Sequence, residues 1–349
     1  MKGLCFLKSS QDPAVYTRNS KGNTLIVGVY VDDLIITGSN SEDVIEFKEQ
    51  MKNDFEMSDL GLRAYYLGIE VAQCKWGITL RQTAYAKRIL EQFGMQNCNP
   101  ARSPIESHLK VGKDEGDEEV DPTEYRRVVG CLRYLTLTRP DLSYSVGIAS
   151  RFMEKPTALH LPIVKRVLRY VKGTLDYGLN YGRRQEFEHL VGFSDSDLGG
   201  DKVGSKSTSG MVFYIGRSVI TWKSQKQKTV ALSSCEAEFM AATSAACQTI
   251  WLANLVKEPT GQQVEPVTLF VDNKSAIALM RNPVFHGRSK HINIHFHFIR
   301  ECVEHGQIIV EHVNSKDQRA DIFTKALAQV KFIEMRNMLG VTDPELSPV

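Results

Sequence analysis

Leu190-Val191-Gly192-Phe193-Ser194-Asp195-Ser196-Asp197 sets the reading of the second half of the chain. A short apolar run of this kind reads as a buried strand, and an acid follows it at once. Val267-Thr268-Leu269-Phe270-Val271-Asp272 repeats the pattern. Between them, Met211 to Ile215 and Ser218 to Trp222 read as two more strands, and Glu236 to Val256 as a long helix rich in small residues. Gln307 to Val313 reads as a fifth strand, a histidine-rich helix covers about 291–305, and a last helix begins at Ala320. Three strands, helix, strand, helix, strand, helix predicts a mixed α/β (α+β) unit on a five-stranded sheet.

Four carboxylates hold comparable places in that pattern. Asp195 follows the first strand, Glu238 lies one turn into the long helix, Asp272 ends the fourth strand and Asp321 opens the last helix. Each stands among small or apolar neighbours. Carboxylates gathered at one end of a sheet repel and raise one another's pKa. A divalent cation removes that penalty, and an all-oxygen donor set suits Mg²⁺ or Mn²⁺. Two such ions about 4 Å apart clamp the attacking and leaving oxygens of a phosphodiester. Spacing alone equally allows four unrelated surface acids.

The composition is that of a folded protein. The chain has 349 residues, 42% hydrophobic and 24% charged, and a net charge of +2. Apolar content excludes a disordered chain, and the length predicts two or three domains. No run of about 18 apolar residues is expected, and the opening Met1 to Lys8 is too short for a secretory signal. The seven cysteines form no CxxC pair, which predicts neither a disulfide framework nor a cysteine-built zinc site, but a reducing, intracellular setting. His286, His291, His295 and His297 include an i, i+4 pair without the glutamate of a HExxH site, so packing or phosphate contact is expected of them rather than zinc. Trp251, Met335 and Met338 read as core.

The first half opens on strands. Thr24 to Tyr30 and Leu34 to Thr37 are apolar runs interrupted by Val31-Asp32-Asp33. A helix follows Ser41, with Val44, Phe47, Met51 and Phe55 at helical spacing. Ala64 to Val71 and Gly77 to Leu80 read as a second strand pair, and Thr83 to Phe93 as a helix. Residues 98–124 read as a linker, with the acids Asp114, Glu115, Asp117, Glu118, Glu119 and Asp121 in a solvated loop. Residues 123–175 are helical and basic, through Arg126, Arg127, Arg133, Arg139, Lys165, Arg166, Arg169 and Lys172. The expected divisions are 1–100, 101–185, 186–330 and a tail at 331–349.

Several stretches resemble the ribonuclease H domain of copia-type LTR retrotransposon Pol polyproteins. They are Phe193-Ser194-Asp195-Ser196-Asp197, Lys206-Ser207-Thr208-Ser209-Gly210, Trp222 to Gln227, Ser233-Ser234-Cys235-Glu236-Ala237-Glu238-Phe239, Val271 to Ala276, Lys290 to Ile294 and Gln318 to Lys325. The resemblance implies that Asp195, Glu238, Asp272 and Asp321 hold Mg²⁺ or Mn²⁺ and cut RNA in RNA/DNA hybrids. Asp197 and Glu236 are rivals for the first two places. A histidine about ten residues before the last acid aids product release in many cellular relatives; His312 stands near that place, though copia-type members often lack it.

Tyr30-Val31-Asp32-Asp33 resembles the metal-binding hairpin of the copia-type reverse transcriptase palm. Tyr65 to Val71, Tyr125 to Leu135 and Thr138-Arg139-Pro140-Asp141 resemble its palm, thumb and connecting region. The resemblance implies that Asp32 and Asp33 are two of three polymerase acids. Only 29 residues precede Tyr30 and none carries the third acid or the fingers, so a truncated palm and no DNA synthesis by this chain alone are expected. It further implies RNA/DNA hybrid as partner, other Pol and Gag products as companions, no membrane, and a cytoplasmic virus-like particle or the nucleus as location. Lys202, Lys206, Arg217, Lys223, Lys226 and Lys228, with Lys274, Arg281, Arg288, Lys290 and Arg300, are expected to track phosphates, and Arg126 to Arg139 and Lys165 to Lys172 to hold a hybrid between domains. The alternative is a catalytically inactive nucleic-acid-binding remnant, whose half-palm would leave apolar strand edges bare near Thr24 to Thr37.

Overall fold

The computed structural model describes residues 2–20, 22–61, 63–74, 77–107, 118–182, 189–201, 203–261, 265–281 and 293–343. Asp114, Glu115, Asp117, Lys202, His286, Arg288, Lys290 and His291 lie outside them, as do the side chains of His295 and His297.

In chain order, β1 (Leu7–Lys8), β2 (Val15–Ser20), β3 (Asn23–Tyr30) and β4 (Asp33–Gly38) form one antiparallel sheet, backed by α1 (Ser41–Asp54). Phe47 and Met51 of α1 close its small core with Phe6, Leu25 and Val27. β3 is paired on both sides, by β2 and β4, so the edge expected to be bare near Thr24 is covered, whereas β4, with Leu34 to Thr37, is the outer strand of this sheet. β5 (Arg63–Tyr66), β6 (Ile69–Cys74) and β7 (Gly77–Arg81) follow. The single strand expected over 64–71 is a hairpin, because Leu67 and Gly68 both take positive φ and turn the chain in two residues.

Four helices come next: α2 (Thr83–Gln92), α3 (Pro122–Leu135), α4 (Ser143–Ser150) and α5 (Leu161–Lys172). α5 buries Ile163, Val164, Val167, Leu168 and Val171, the stripe its apolar spacing dictates. The expected linker is packed rather than free where it is described. Ser103, Pro104 and Ile105 are buried, Ala101 donates its N–H to the Arg169 carbonyl, and Arg169 donates to the Asn99 carbonyl.

Then β8 (Gly178–Gly182), β9 (Leu190–Ser196), β10 (Thr208–Ile215), β11 (Ser218–Lys226), α6 (Ser234–Thr260), β12 (Val267–Val271), α7 (Lys274–Arg281), α8 (Asn293–Glu304), β13 (Ile308–His312), α9 (Gln329–Met338) and β14 (Val341–Thr342) complete the chain. β14, in the stretch expected as a tail, pairs with β8 at the edge of a five-stranded sheet that continues through β7, β6 and β5. The last helix begins not at Ala320 but at Gln329, after a single turn at Asp321–Phe323.

The central sheet has the order β11-β10-β9-β12-β13. β9, β10 and β11 form an antiparallel meander, while β12 runs parallel to both β9 and β13. Parallel neighbours need a crossover, and α6 supplies it between the meander and β12. This is the mixed five-stranded, ribonuclease H-like sheet that the sequence implied. Gly210 of β10 lies under the Asp321–Phe323 turn: a Cβ there would meet Phe323 Cβ at 2.8 Å and the Ala320 carbonyl at 2.9 Å.

α6 is long and apolar enough to cross a membrane by length and composition, although Ser234, Glu236, Glu238, Thr243, Ser244 and Gln248 interrupt its apolar residues. It lies on the sheet, where Ala242, Ala245 and Ala246 allow close approach to Leu269 and Phe213 in one core. α2 to α5 fill the opposite face, joining Phe193, Val212 and Tyr214 in a second core. Trp251 is not core: its indole N–H donates to the Gln11 carbonyl at 3.2 Å, tying α6 to the N-terminal sheet. Met335 is buried, but Met338 is partly exposed.

Arg139, expected to face nucleic acid, is only 1% exposed. Its guanidinium forks onto Asp141 at 3.0 and 2.8 Å and donates to the Thr174 carbonyl and hydroxyl. The Tyr170 hydroxyl donates to Asp141 at 2.7 Å, and Arg336 of α9 reaches Tyr170. The Thr138-Arg139-Pro140-Asp141 motif therefore joins three segments distant in sequence. Breaking a buried ion pair on one side costs roughly 3–5 kcal/mol, because the surviving charge is stranded. Asp141→Ala is expected to lower the unfolding free energy of the complete chain, measured by denaturant titration, by that amount, and a loss under about 1 kcal/mol, the surface-pair scale, would contradict this reading.

Candidate active site

Asp195 and Asp272 meet because of strand register. Phe193 and Phe270 are partners across the parallel β9–β12 pair and their rings stack, with centroids 4.9 Å apart. Two residues further on, both strands present an acid toward the same face. Glu238 arrives from the first turns of α6. Its N-terminus is held by Ser233, whose hydroxyl accepts from the Glu236 N–H, while Glu236 accepts from the Leu232 N–H. Glu236 is thus a capping residue, and Glu238 is the acid of this helix that reaches the sheet. Glu238 Oε1 accepts from the Ser196 N–H at 3.2 Å.

One carboxylate oxygen from each of Asp195, Glu238 and Asp272 lies within 4.8 Å of the others. Asp195 and Glu238 are 1% and 5% exposed, and Asp272 is half-buried. Asp321 stands beside them on the single turn after Ala320. The Lys325 ammonium lies 2.8 Å from Asp321 Oδ1 and 3.7 Å from Asp195 Oδ2. Asp195 Oδ2 also accepts from the Thr324 hydroxyl, and Asp272 Oδ2 from the Ser315 hydroxyl at 3.0 Å. Asp197, the rival of Asp195, is engaged by the Thr208 N–H.

The electrostatics follow from burial and like charge. Burial first, then the Asp195 and Asp272 carboxylates, push Glu238 up to about 10. Burial and Asp195 raise Asp321 to about 7, against the lowering pull of Lys325. Asp272 is also raised, by burial and Asp195. Glu238 Oε2 is buried without a donor. A buried carboxylate oxygen with no donor, facing two more carboxylates, is an arrangement a hard cation completes. The donor set fits Mg²⁺ or Mn²⁺, with Asp195, Glu238 and Asp272 as ligands.

Lys325, Thr324, Ser315 and Ser196 escaped the reading of the sequence as members of this site. Lys325 had a signal: it stands four residues after Asp321, the spacing of a helical ion pair. His312 is exposed at the end of β13, paired in register with Val271 and so next to Asp272.

Asp32 and Asp33 lie apart from this cluster. Val31 and Asp32 form the tip of the β3–β4 hairpin, both acids are exposed, and Val31 adopts φ 50°, which a β-branched residue avoids. Asp33 lines a cleft with Lys48, Asp59, Tyr65 and Tyr66. Among the described residues, no third acid joins the pair within ligand distance.

The basic residues divide into two kinds. Arg126 donates to the Met153 carbonyl, Arg127 pairs with Glu124, Arg166 with Glu106, and Arg169 with the Asn99 carbonyl, so these are spent within the protein. Arg300 too is buried, on the Leu279 carbonyl. Arg133, Arg151, Trp222, Lys223 and Lys226 instead line a groove of about 600 Å³ between α3, α4 and β11. Asp201 takes Arg151 and Lys226. Ser224, on the groove wall, lies across Gly210 from Asp195 in sheet register.

Residues 1–107 match the family described as reverse transcriptase (RNA-dependent DNA polymerase). The Retrovirus-related Pol polyprotein from transposon RE1 of Arabidopsis thaliana is 36% identical over 97% of this chain and 23% of its own length. That from transposon TNT 1-94 of Nicotiana tabacum is 35% identical over 98% of this chain and 26% of its own. The chain thus spans about a quarter of the length of these relatives. Among solved structures, LC11-RNase H1 in complex with RNA/DNA hybrid is 14% identical, covering 39% of this chain and 93% of its own, with a TM-score of 0.30. The chain belongs to the copia-type retrotransposon Pol polyprotein family, with the reverse transcriptase match in its first 107 residues.

Proposed function

We propose that this chain cleaves the RNA strand of RNA/DNA hybrids in a divalent-cation-dependent reaction at Asp195, Glu238, Asp272 and Asp321. The carrying observation is the convergence of Asp195, Glu238 and Asp272 within 4.8 Å, with Glu238 Oε2 lacking a donor. A cation held there supplies Lewis-acid stabilisation of the charge that develops on a phosphodiester. The chain's own groups do the rest. Ser196 N–H and the Ser315 hydroxyl orient Glu238 and Asp272, while Thr324 orients Asp195. Arg133 and Lys223 attract the phosphate backbone beside the cluster. Selection of RNA over DNA rests on contacts to the 2′-hydroxyl. Polymerisation at Asp32 and Asp33 is not part of this reading.

The site trades stability for function. Carboxyl groups held above their ordinary pKa contribute stability that is present below the unfolded value and lost as pH rises through the folded one. Asp272→Asn removes one charge from the cluster. It is expected to raise the melting temperature of the complete chain in EDTA near neutral pH by about 2–4 °C, the shift of roughly 1 kcal/mol in a domain of this size. The gain should vanish below about pH 4, where an ordinary aspartate, of pKa about 3.9, is protonated in the unfolded chain as well. The same variant should lower cleavage of a labelled RNA/DNA hybrid with Mg²⁺ by roughly 100-fold or more, the scale of losing a charge-stabilising group. Undiminished cleavage would reject the site.

Phosphate contact is read from salt dependence. Each contact contributes about 0.9 to the slope of log K against log salt. Arg133→Ala/Lys223→Ala should therefore flatten the slope for hybrid binding by about 2, measured by fluorescence anisotropy in EDTA. A matched Lys8→Ala/Lys87→Ala variant, altered on exposed residues away from the groove, should leave it unchanged.

A further inference from the structure

The acidic cluster is not symmetric. On its Glu238–Asp272 side, no ion pair to Lys or Arg reaches either carboxylate among the described residues. On its Asp195–Asp321 side, the protein supplies its own cation, with Lys325 Nζ 2.8 Å from one carboxylate and 3.7 Å from the other. The Lys325 side chain is 43% exposed, while Asp195 and Asp321 are nearly closed to water. An ammonium on a flexible four-carbon stem can leave this position for solvent without unfolding anything. The backbone that carries the two carboxylates is held by the sheet and by the close contact of the Asp321–Phe323 turn with Gly210.

We propose that Lys325 is a built-in stand-in for a divalent cation, occupying the Asp195–Asp321 edge and competing with any metal ion for it. This rests on the reading of the cluster as a cation site. Lys325 then has two effects of opposite sign. It relieves carboxylate repulsion in the metal-free protein, and it weakens metal binding, because the ion must displace it or share the edge with a like charge. Two like charges about 4 Å apart near a protein surface repel strongly, so removing Lys325 corresponds to at least a several-fold gain in affinity.

Mn²⁺ titrated into the complete chain by calorimetry, near neutral pH and at physiological ionic strength, tests this. Lys325→Met is expected to bind Mn²⁺ about tenfold more tightly than the parent chain and to melt at a lower temperature in EDTA. Lys325→Arg, which keeps the charge, should stay close to the parent in both measurements. A merely structural lysine would lower the melting temperature equally with and without Mn²⁺ and leave the affinity alone. Unchanged or weaker Mn²⁺ binding by Lys325→Met, with the parent binding normally, overturns the stand-in role and spares the cation site. Absence of Mn²⁺ binding by parent and variant alike overturns both. Should Lys325→Met fail to fold, Lys325→Gln carries the same expectation.

Discussion

Repulsion between carboxylates at the ends of two parallel strands is the constraint around which this half of the molecule is organised. Register places Asp195 and Asp272 side by side, and a helix crossing over the sheet adds Glu238. In a half-closed site, that grouping opposes folding unless something positive joins it. Lys325 provides part of the compensation from within the chain. The remainder is a demand that the fold makes on its surroundings, and a hard divalent cation would meet it. Site chemistry and stability are therefore one problem: an arrangement able to hold an ion is costly without one.

The scaffold accepts this because its rigidity comes from elsewhere. One face of the sheet carries α6, α7 and α8, and the other carries the helices between the two strand-rich regions. Arg139, Asp141, Tyr170 and Arg336 link those helices to the C-terminal α9 through a buried polar network. Such a network tolerates little, since each member would be stranded without its partners. The same helices leave a groove along β11, whose Ser224 is separated from Asp195 by the one intervening strand β10.

Much of this was legible in the sequence, for identifiable reasons. Strands ending in acids announce Asp195 and Asp272, since apolar runs and their breaks are local signals. The β3–β4 hairpin was legible because Val31-Asp32 interrupts two β-branched runs. Glu238 and Glu236 sit two residues apart on one helix and differ only in what they face; the cap at Ser233 separates them, and that needs coordinates. Arg139 looked like one more phosphate-seeking base in a basic stretch, because its burial depends on Asp141 and Thr174 closing around it. The pairing of β14 with β8 joins residues some 160 positions apart, and two residues carry no periodicity. The Leu67-Gly68 turn was missed because flanking tyrosines and isoleucine read as one continuous strand.

The most direct test of the account is the location of Mn²⁺ in crystals of the complete chain, from its anomalous scattering. The account predicts a peak between the Asp195, Glu238 and Asp272 carboxylates, at the roughly 2.0–2.2 Å ligand distances of an octahedral oxygen site. A well-ordered site with no peak there, or an ion bound only at the Asp32–Asp33 hairpin, would contradict it.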